Sequence, residues 1–134
     1  MKRIMTILFT VTALMLASCV SNAKIPDNAT STQLIQLGQD AMEVSNYTAA
    51  EQYYMAVIQR YGMDTATYIE ARYELGHLYL KKKDYTQAYE CFSEIVEIFE
   101  NAEIGYLPAA YKKLAQMGLS NIPDGKLTKL QKAE

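Results

Sequence analysis

The 134-residue chain has no tryptophan, one histidine, two cysteines and three prolines. Two cysteines cannot build the disulfide framework on which many small secreted domains depend. The single histidine, His77, lacks the second His or the Cys ligands that a usual zinc site needs. It also lacks an evident triad partner. There is no glycine-rich phosphate loop and no carboxylate pair set apart by its neighbours, so the residues point to no catalysis and no cofactor or metal. Basic residues number 13 against 15 acidic ones, a net charge of −2, with no concentrated basic face of the kind that nucleic-acid binding requires. Low-complexity blocks are missing too. The apolar run ahead of the first cysteine, Ile4 to Ala17, has 14 residues, short of the roughly 20 that span a bilayer comfortably.

That run has a different use. It follows Lys2 and Arg3 and ends in "LASC", the order of a secretion signal: basic start, apolar centre, small residues. With Leu16, Ala17 and Ser18 set directly before Cys19, the segment resembles the lipobox of bacterial lipoproteins. The resemblance implies cleavage after residue 18 and a diacylglyceryl group on the Cys19 thiol; a plain signal peptide or an uncut anchor are the alternatives. Two acyl chains make a stable membrane anchor where one is marginal. Residues 1–18 are then the signal peptide and residues 19–30, polar and without period, a lipidated N-terminus and flexible tether. Val20 is not the aspartate that retains some lipoproteins in the inner membrane, which favours the outer membrane facing the periplasm over the cytoplasmic membrane or the cell surface. Loss of Lys2 and Arg3 leaves 11 basic against 15 acidic residues. Cys91, the remaining thiol, reads as a small buried helix residue.

The rest of the chain carries an internal repeat. Leu34 to Tyr61 aligns with Arg72 to Phe99 at an offset of 38 residues: Leu37 and Gly38 fall on Leu75 and Gly76, Tyr47 on Tyr85, Ala50 on Ala88, and Tyr54 on Phe92. In each second half the apolar positions (Ala50, Tyr53, Tyr54, Val57, Ile58, Tyr61; Ala88, Cys91, Phe92, Ile95, Val96, Phe99) follow the stripe of an amphipathic helix. A mid-helix glycine costs about 1 kcal/mol relative to alanine, so its recurrence points to close helix approach. "EVSNYT" and "KKKDYT" read as the turns, and Thr30 with Gln33 as a capping box. Eleven tyrosines against three phenylalanines mean an interior built partly from rings with a polar tip.

Each unit is therefore a helical hairpin, and its Leu-Gly, Tyr, Ala and aromatic positions resemble those of the tetratricopeptide repeat. The expected architecture is all-α, an α-solenoid of two such repeats (about 31–62 and 67–100) with a capping helix at 108–119, together a domain over 31–120. A polar tail follows at 121–134, loose or with a short helical turn over residues 126–132. The early tryptophan of the family is Leu34 or Arg72 here, and the extra residues of the 38-residue spacing are expected in a longer joint, "YGMDTATY". That joint is similar to those of bacterial envelope proteins in β-barrel assembly and envelope maintenance.

The resemblance implies a concave groove for a partner peptide or helix, lined by Ile35, Gln39, Met42, Tyr73, His77, Leu80, Lys112 and Gln116, with Leu119 beside them. The other reading packs the apolar members between hairpins. Glu90, Glu94 and Glu97 read as a solvated outer face, and Lys81 to Lys83 as cations at a helix C-terminus, with docking as their other use. The expectation is a membrane-anchored, non-enzymatic scaffold that binds a protein partner in the envelope, with a second copy of the chain as a further candidate partner. The alternative is a small apolar ligand held among the tyrosines in a transport-accessory lipoprotein.

Overall fold

The computed structural model describes residues 22–102 and 107–132. The signal segment and Cys19 lie outside the described residues. Six helices follow in order: α1 Ser31–Glu43, α2 Tyr47–Tyr61, α3 Thr65–Lys82, α4 Tyr85–Asn101, α5 Ala110–Ser120 and α6 Asp124–Gln131, with no strand among the described residues. The fold is an all-α solenoid of tetratricopeptide type: α1/α2 and α3/α4 are antiparallel hairpins, and α5 packs on α4 and on α3.

The two hairpins begin and turn by the same local chemistry. Thr30 Oγ1 accepts the Gln33 N–H at 3.2 Å while the Thr30 N–H donates to Gln33 Oε1 at 2.9 Å, completing the capping box of α1. At the first turn Ser45 takes a left-handed φ of 58° and Asn46 caps α2; at the second, Lys83 takes 59° and Asp84 caps α4. The Asn46 N–H reaches Ala41 O at 2.8 Å and the Asp84 N–H reaches Tyr79 O at 2.9 Å, so each turn recovers a carbonyl that the helix end would leave unpaired.

Packing within the hairpins rests on a ring set against a glycine. A Cβ placed on Gly76 would lie 2.6 Å from the Phe92 ring, and one on Gly118 would lie 2.5 Å from the same ring. Gly38 meets the Tyr54 ring in the same way. Tyr54 and Phe92 are fully buried as a result.

Three parts of the chain differ from the expectation. Residues 22–30 are not a free tether: they lie along α2 as a strap. The Ala23 N–H donates to Gln52 Oε1 at 2.7 Å, Arg60 donates to Pro26 O at 2.7 Å and the Tyr61 hydroxyl to Ala29 O at 2.6 Å, while Ala29 is buried. Hydrogen-bonded backbone and small apolar side chains outweigh the polar composition that suggested mobility. The extra residues between the hairpins are not a joint either. Asp64 caps α3 by accepting the Thr67 N–H at 3.1 Å, so "TATY" becomes an additional first turn of α3. Beyond residue 120 the chain is not a loose tail: Ile122 is 1 % exposed, and Leu127 and Leu130 of α6 pack against the core beside α4.

The ring-on-glycine contacts predict opposite effects for one substitution at different glycines. Gly76→Ala and Gly118→Ala overpack a closed interface and each lower stability by about 1–3 kcal/mol, despite the better helix propensity of alanine. Gly125, with nothing within 4 Å of an added Cβ, is neutral or gains up to about 1 kcal/mol. Urea-unfolding midpoints of the three variants check this, and a stabilised Gly118→Ala would contradict the packing described.

Candidate functional site

Because Gly118 lets α5 close on Phe92, Tyr111 at the start of α5 comes within ring contact of Tyr73 on α3, centroids 5.4 Å apart and edge-on. Tyr73 also stands 5.5 Å from the His77 ring and 6.0 Å from Phe92. On the other side of α3, Gln39 of α1 donates to Glu74 Oε1 at 2.8 Å, and the buried Tyr54 hydroxyl reaches Glu74 Oε2 at 3.5 Å. A continuous row thus crosses the first helix of each hairpin and α5: Gln39, Glu74, Tyr73, His77, Tyr111 and Glu70.

Two carboxylates set the electrostatics of this row. Burial raises the Glu70 pKa above the ordinary carboxylate range and the charge of Glu74 adds to the rise, against a hydrogen bond from Tyr111 that opposes it. Burial, with the charge of Glu70 beside it, pushes the Tyr111 hydroxyl up to about 12. The face therefore presents carboxylates, hydroxyls and ring faces: acceptors for N–H donors and cations, and aromatic surface for apolar groups.

The residues singled out by the sequence divide. Gln39, Tyr73 and His77 come together in the row, His77 exposed and the other two half-buried. Met42 and Leu80 are half-buried and pack against the core, as Leu119 does. Ile35 is a correction: at 4 % exposure it belongs to the core and offers a partner nothing. Lys112 is half-buried and Gln116 exposed on α5, and neither shares a hydrogen bond or ion pair with the row among the described residues. Glu70, Glu74 and Tyr111 were not singled out for the groove. The signal was present, since Glu70, Tyr73, Glu74 and His77 stand at i, i+3, i+4 and i+7 on α3, one stripe that a search for apolar positions alone divides.

The outer face also differs in one place: Glu94 is not simply solvated but pairs with Arg72 and accepts from the Tyr68 hydroxyl. Cys91 beneath it is 1 % exposed, and burial pushes its thiol up to about 12 although Arg72 opposes the shift; the thiolate needed for nucleophilic chemistry is therefore scarce at neutral pH. Among the described residues no three His, Cys, Asp or Glu side chains gather as a metal site, and no helix is long and apolar enough to cross a membrane. The rival reading of tyrosines around a small ligand finds them otherwise engaged: Tyr53, Tyr54, Tyr61, Tyr68 and Tyr79 all donate to protein acceptors. An open depression of about 490 Å³ lies instead between the strap and α1, beside Pro26, Ala29 and Leu37.

Residues 69–101, which cover most of α3 and all of α4, match the tetratricopeptide repeat family. Over 110 residues, 80 % of its length, the chain is 31 % identical to an uncharacterized protein of Treponema pallidum (strain Nichols), and it spans 44 % of that relative. No solved structure matches the chain. Tetratricopeptide repeats generally serve as non-catalytic surfaces for protein–protein contact, and that coarse class, an interaction scaffold, is what the match supports.

The raised Glu70 pKa has a stability consequence. The folded state holds the Glu70 proton more tightly than the unfolded chain, so ionisation costs stability as pH rises from the unfolded pKa, about 4.3, through the folded one. Glu70→Gln keeps a partner for Tyr111 and removes that cost. The variant should unfold at higher urea than the parent near about pH 7 and at the same urea near about pH 3. A lower midpoint for Glu70→Gln at neutral pH would show that the carboxylate is favoured in its place.

Proposed function

We propose that the chain is a lipid-anchored scaffold of a bacterial cell envelope, fixed to a membrane through Cys19 and holding a segment of a protein partner on the inner face of its helical hairpins. The observation that carries the binding half is the row from Gln39 through Glu74 and Tyr73 to Tyr111, in which three helices contribute donors, acceptors and ring surface to one face. A segment with a basic or amide-bearing side chain flanked by apolar ones matches its chemistry. The anchoring half is supported by the order of charge, apolar run and "LASC" ahead of Cys19. Residues 1–21 carry that order and the folded helices lie after it, so the two halves use separate stretches of chain.

The scaffold's part in envelope or outer-membrane protein assembly follows from the resemblance of its repeats. The similarity to the Treponema pallidum protein is consistent with a bacterial setting, and the partner is expected in the same compartment as the anchor. No bond is made or broken in this function. The protein would act by raising the local concentration of its partner near the membrane surface.

A photo-crosslinking residue at Tyr73 of the full chain, in the native envelope, should capture a protein adduct well above the level obtained at exposed Glu97 on the outer side of α4. Equal adducts from both positions would remove the groove. The mass of the N-terminal peptide tests the anchor separately: a chain that begins at Cys19 with a thioether-linked diacylglycerol is expected, and a free Cys19 thiol would overturn it.

A further inference from the structure

The face described above leaves unused a group of lysines at the opposite end of the charge scale. Lys83, from the turn between α3 and α4, and Lys126 and Lys129, one helical turn apart on α6, line a common cleft of about 300 Å³ with Asp84, Tyr85 and Leu130. More than forty residues separate the two segments in sequence, and all three lysines are exposed. Lys81 and Lys82 extend the same positive charge along the last turn of α3. The carboxylates here are fewer than the lysines: Asp84 lines the cleft, Asp124 opens α6 and Glu51 faces Lys82. Asp84 accepts the Gln87 N–H as the cap of α4, while Glu51 pairs with Lys82 at 2.8 Å and accepts the Tyr79 hydroxyl at 2.8 Å. Burial would raise Glu51, but these hydrogen bonds outweigh it and hold its carboxyl below the ordinary range, so the carboxylate stays ionised and engaged.

The N-terminal segment meets the helices in the first half of α2. Asn22 and Ala23 bond to the side chain of Gln52, the residue next to Glu51, and Glu51 is the partner of Lys82. The chain therefore enters the fold one residue from the ion pair that borders the lysines. If Cys19 carries lipid, only residues 19–21 lie between the anchor and Asn22, a reach of about 10 Å at the full extension of a polypeptide. An anchor that close to the fold keeps the domain near the bilayer surface, where exposed charge acts over a screening length of about 8 Å at physiological salt.

We propose that the edge bearing Lys83, Lys126 and Lys129 rests on the bilayer and binds anionic phospholipid headgroups, holding the domain against the membrane in one orientation. The proposal rests on the anchored reading given above. It is favoured by charge complementarity, since a chain with a net charge of −2 concentrates lysines where the anchor would bring it nearest to lipid. One acylated site and one polybasic surface then act together, a combination that gives firmer and more oriented attachment than acyl chains alone. The inner row of Tyr73 and Tyr111 is built from other residues and stays available for a partner.

The test uses the full-length protein isolated from its own membranes and reconstituted into vesicles of phosphatidylcholine alone or with about 30 % phosphatidylglycerol. Acetylation rates of Lys83, Lys126 and Lys129 are read by mass spectrometry against exposed Lys113 on α5. The expected result is a slowing on the order of threefold or more in the anionic vesicles, abolished by about 0.5 M salt. Equal rates in the two vesicle types would overturn the proposal, and so would equal protection by inorganic phosphate in the neutral vesicles, which marks a general anion site. The mass of the N-terminal peptide from the same sample keeps the two readings apart. A lipidated Cys19 with unprotected lysines sinks the surface and leaves the anchor. Protected lysines above an unlipidated N-terminus sink the anchor and support the surface.

Discussion

The Phe92 ring between Gly76 and Gly118 is the contact on which the rest of the arrangement depends. Both glycines lie inside helices, where each costs about 1 kcal/mol relative to alanine. The cost is offset because one fully buried aromatic side chain takes the space that both glycines leave. Without that approach α5 would stand off from α3, and the edge-on pairing of Tyr111 with Tyr73 would be lost. The inner face is thus set by a packing constraint directly beneath it, where the Phe92 ring meets that of Tyr73. Tyr54 on Gly38 repeats the constraint in the first hairpin, with a hydroxyl where Phe92 has none.

That hydroxyl shows how the tyrosines are used. Each ring is set into an apolar contact and each tip is delivered to an acceptor on a different element: Tyr54 of α2 to Glu74 of α3, Tyr79 of α3 to Glu51 of α2, Tyr68 of α3 to Glu94 of α4. Burying the ring and satisfying the tip are separate requirements, and meeting both fixes the register of one helix against the next. Glu74 takes part twice, receiving Gln39 of α1 as well as Tyr54, so the same carboxylate that joins the hairpins stands in the row offered to a partner. Cohesion and the proposed recognition share atoms here. A partner cation competing for Glu74 would draw on the contact between hairpins, which couples binding to their relative placement.

The hairpins were legible in the sequence because their determinants are local and occur twice. The capping box at Thr30, the two turns, the glycines and the helical stripes at an offset of 38 agree with one another, and the structure follows them. What escaped was decided by contacts between distant residues. The strap reads as polar and irregular until Gln52, Arg60 and Tyr61 supply partners for its backbone. Residues 124–131 have too few apolar positions to announce more than a short helical turn, and α6 has no fully buried residue but packs Leu127 and Leu130 against the core beside α4. The added turn of α3 was hidden because "DTATY" carries a capping aspartate amid residues of weak helix propensity. In the candidate site, Tyr73 and His77 were visible on a helix stripe, whereas Glu70 and Glu74 carried no reading of their own, because their partners Tyr111 and Gln39 come from other helices. Ile35 erred in the opposite sense: an apolar residue on the face of interest was core.

The parts that escaped also bear on how two hairpins hold together alone. Repeat arrays bury their core by stacking, and a short array leaves terminal faces that need cover. Here the cover comes from within the chain at both ends. The strap lies on α2 through Ala23, Ile25 and Ala29, and α6 lies on α4 through Leu127 and Leu130. Both covers sit on the second helix of a hairpin, and neither contributes to the row on α1, α3 and α5. The burial for which a second copy would be invoked is supplied by these segments, so a protein seated on the inner face is a better use of that face than self-association. The strap adds one more consequence: by holding residues 22–30 along α2 it converts a length of chain that could have been slack into part of the domain. Any anchor ahead of residue 22 then positions the hairpins themselves and not the end of a loose cord.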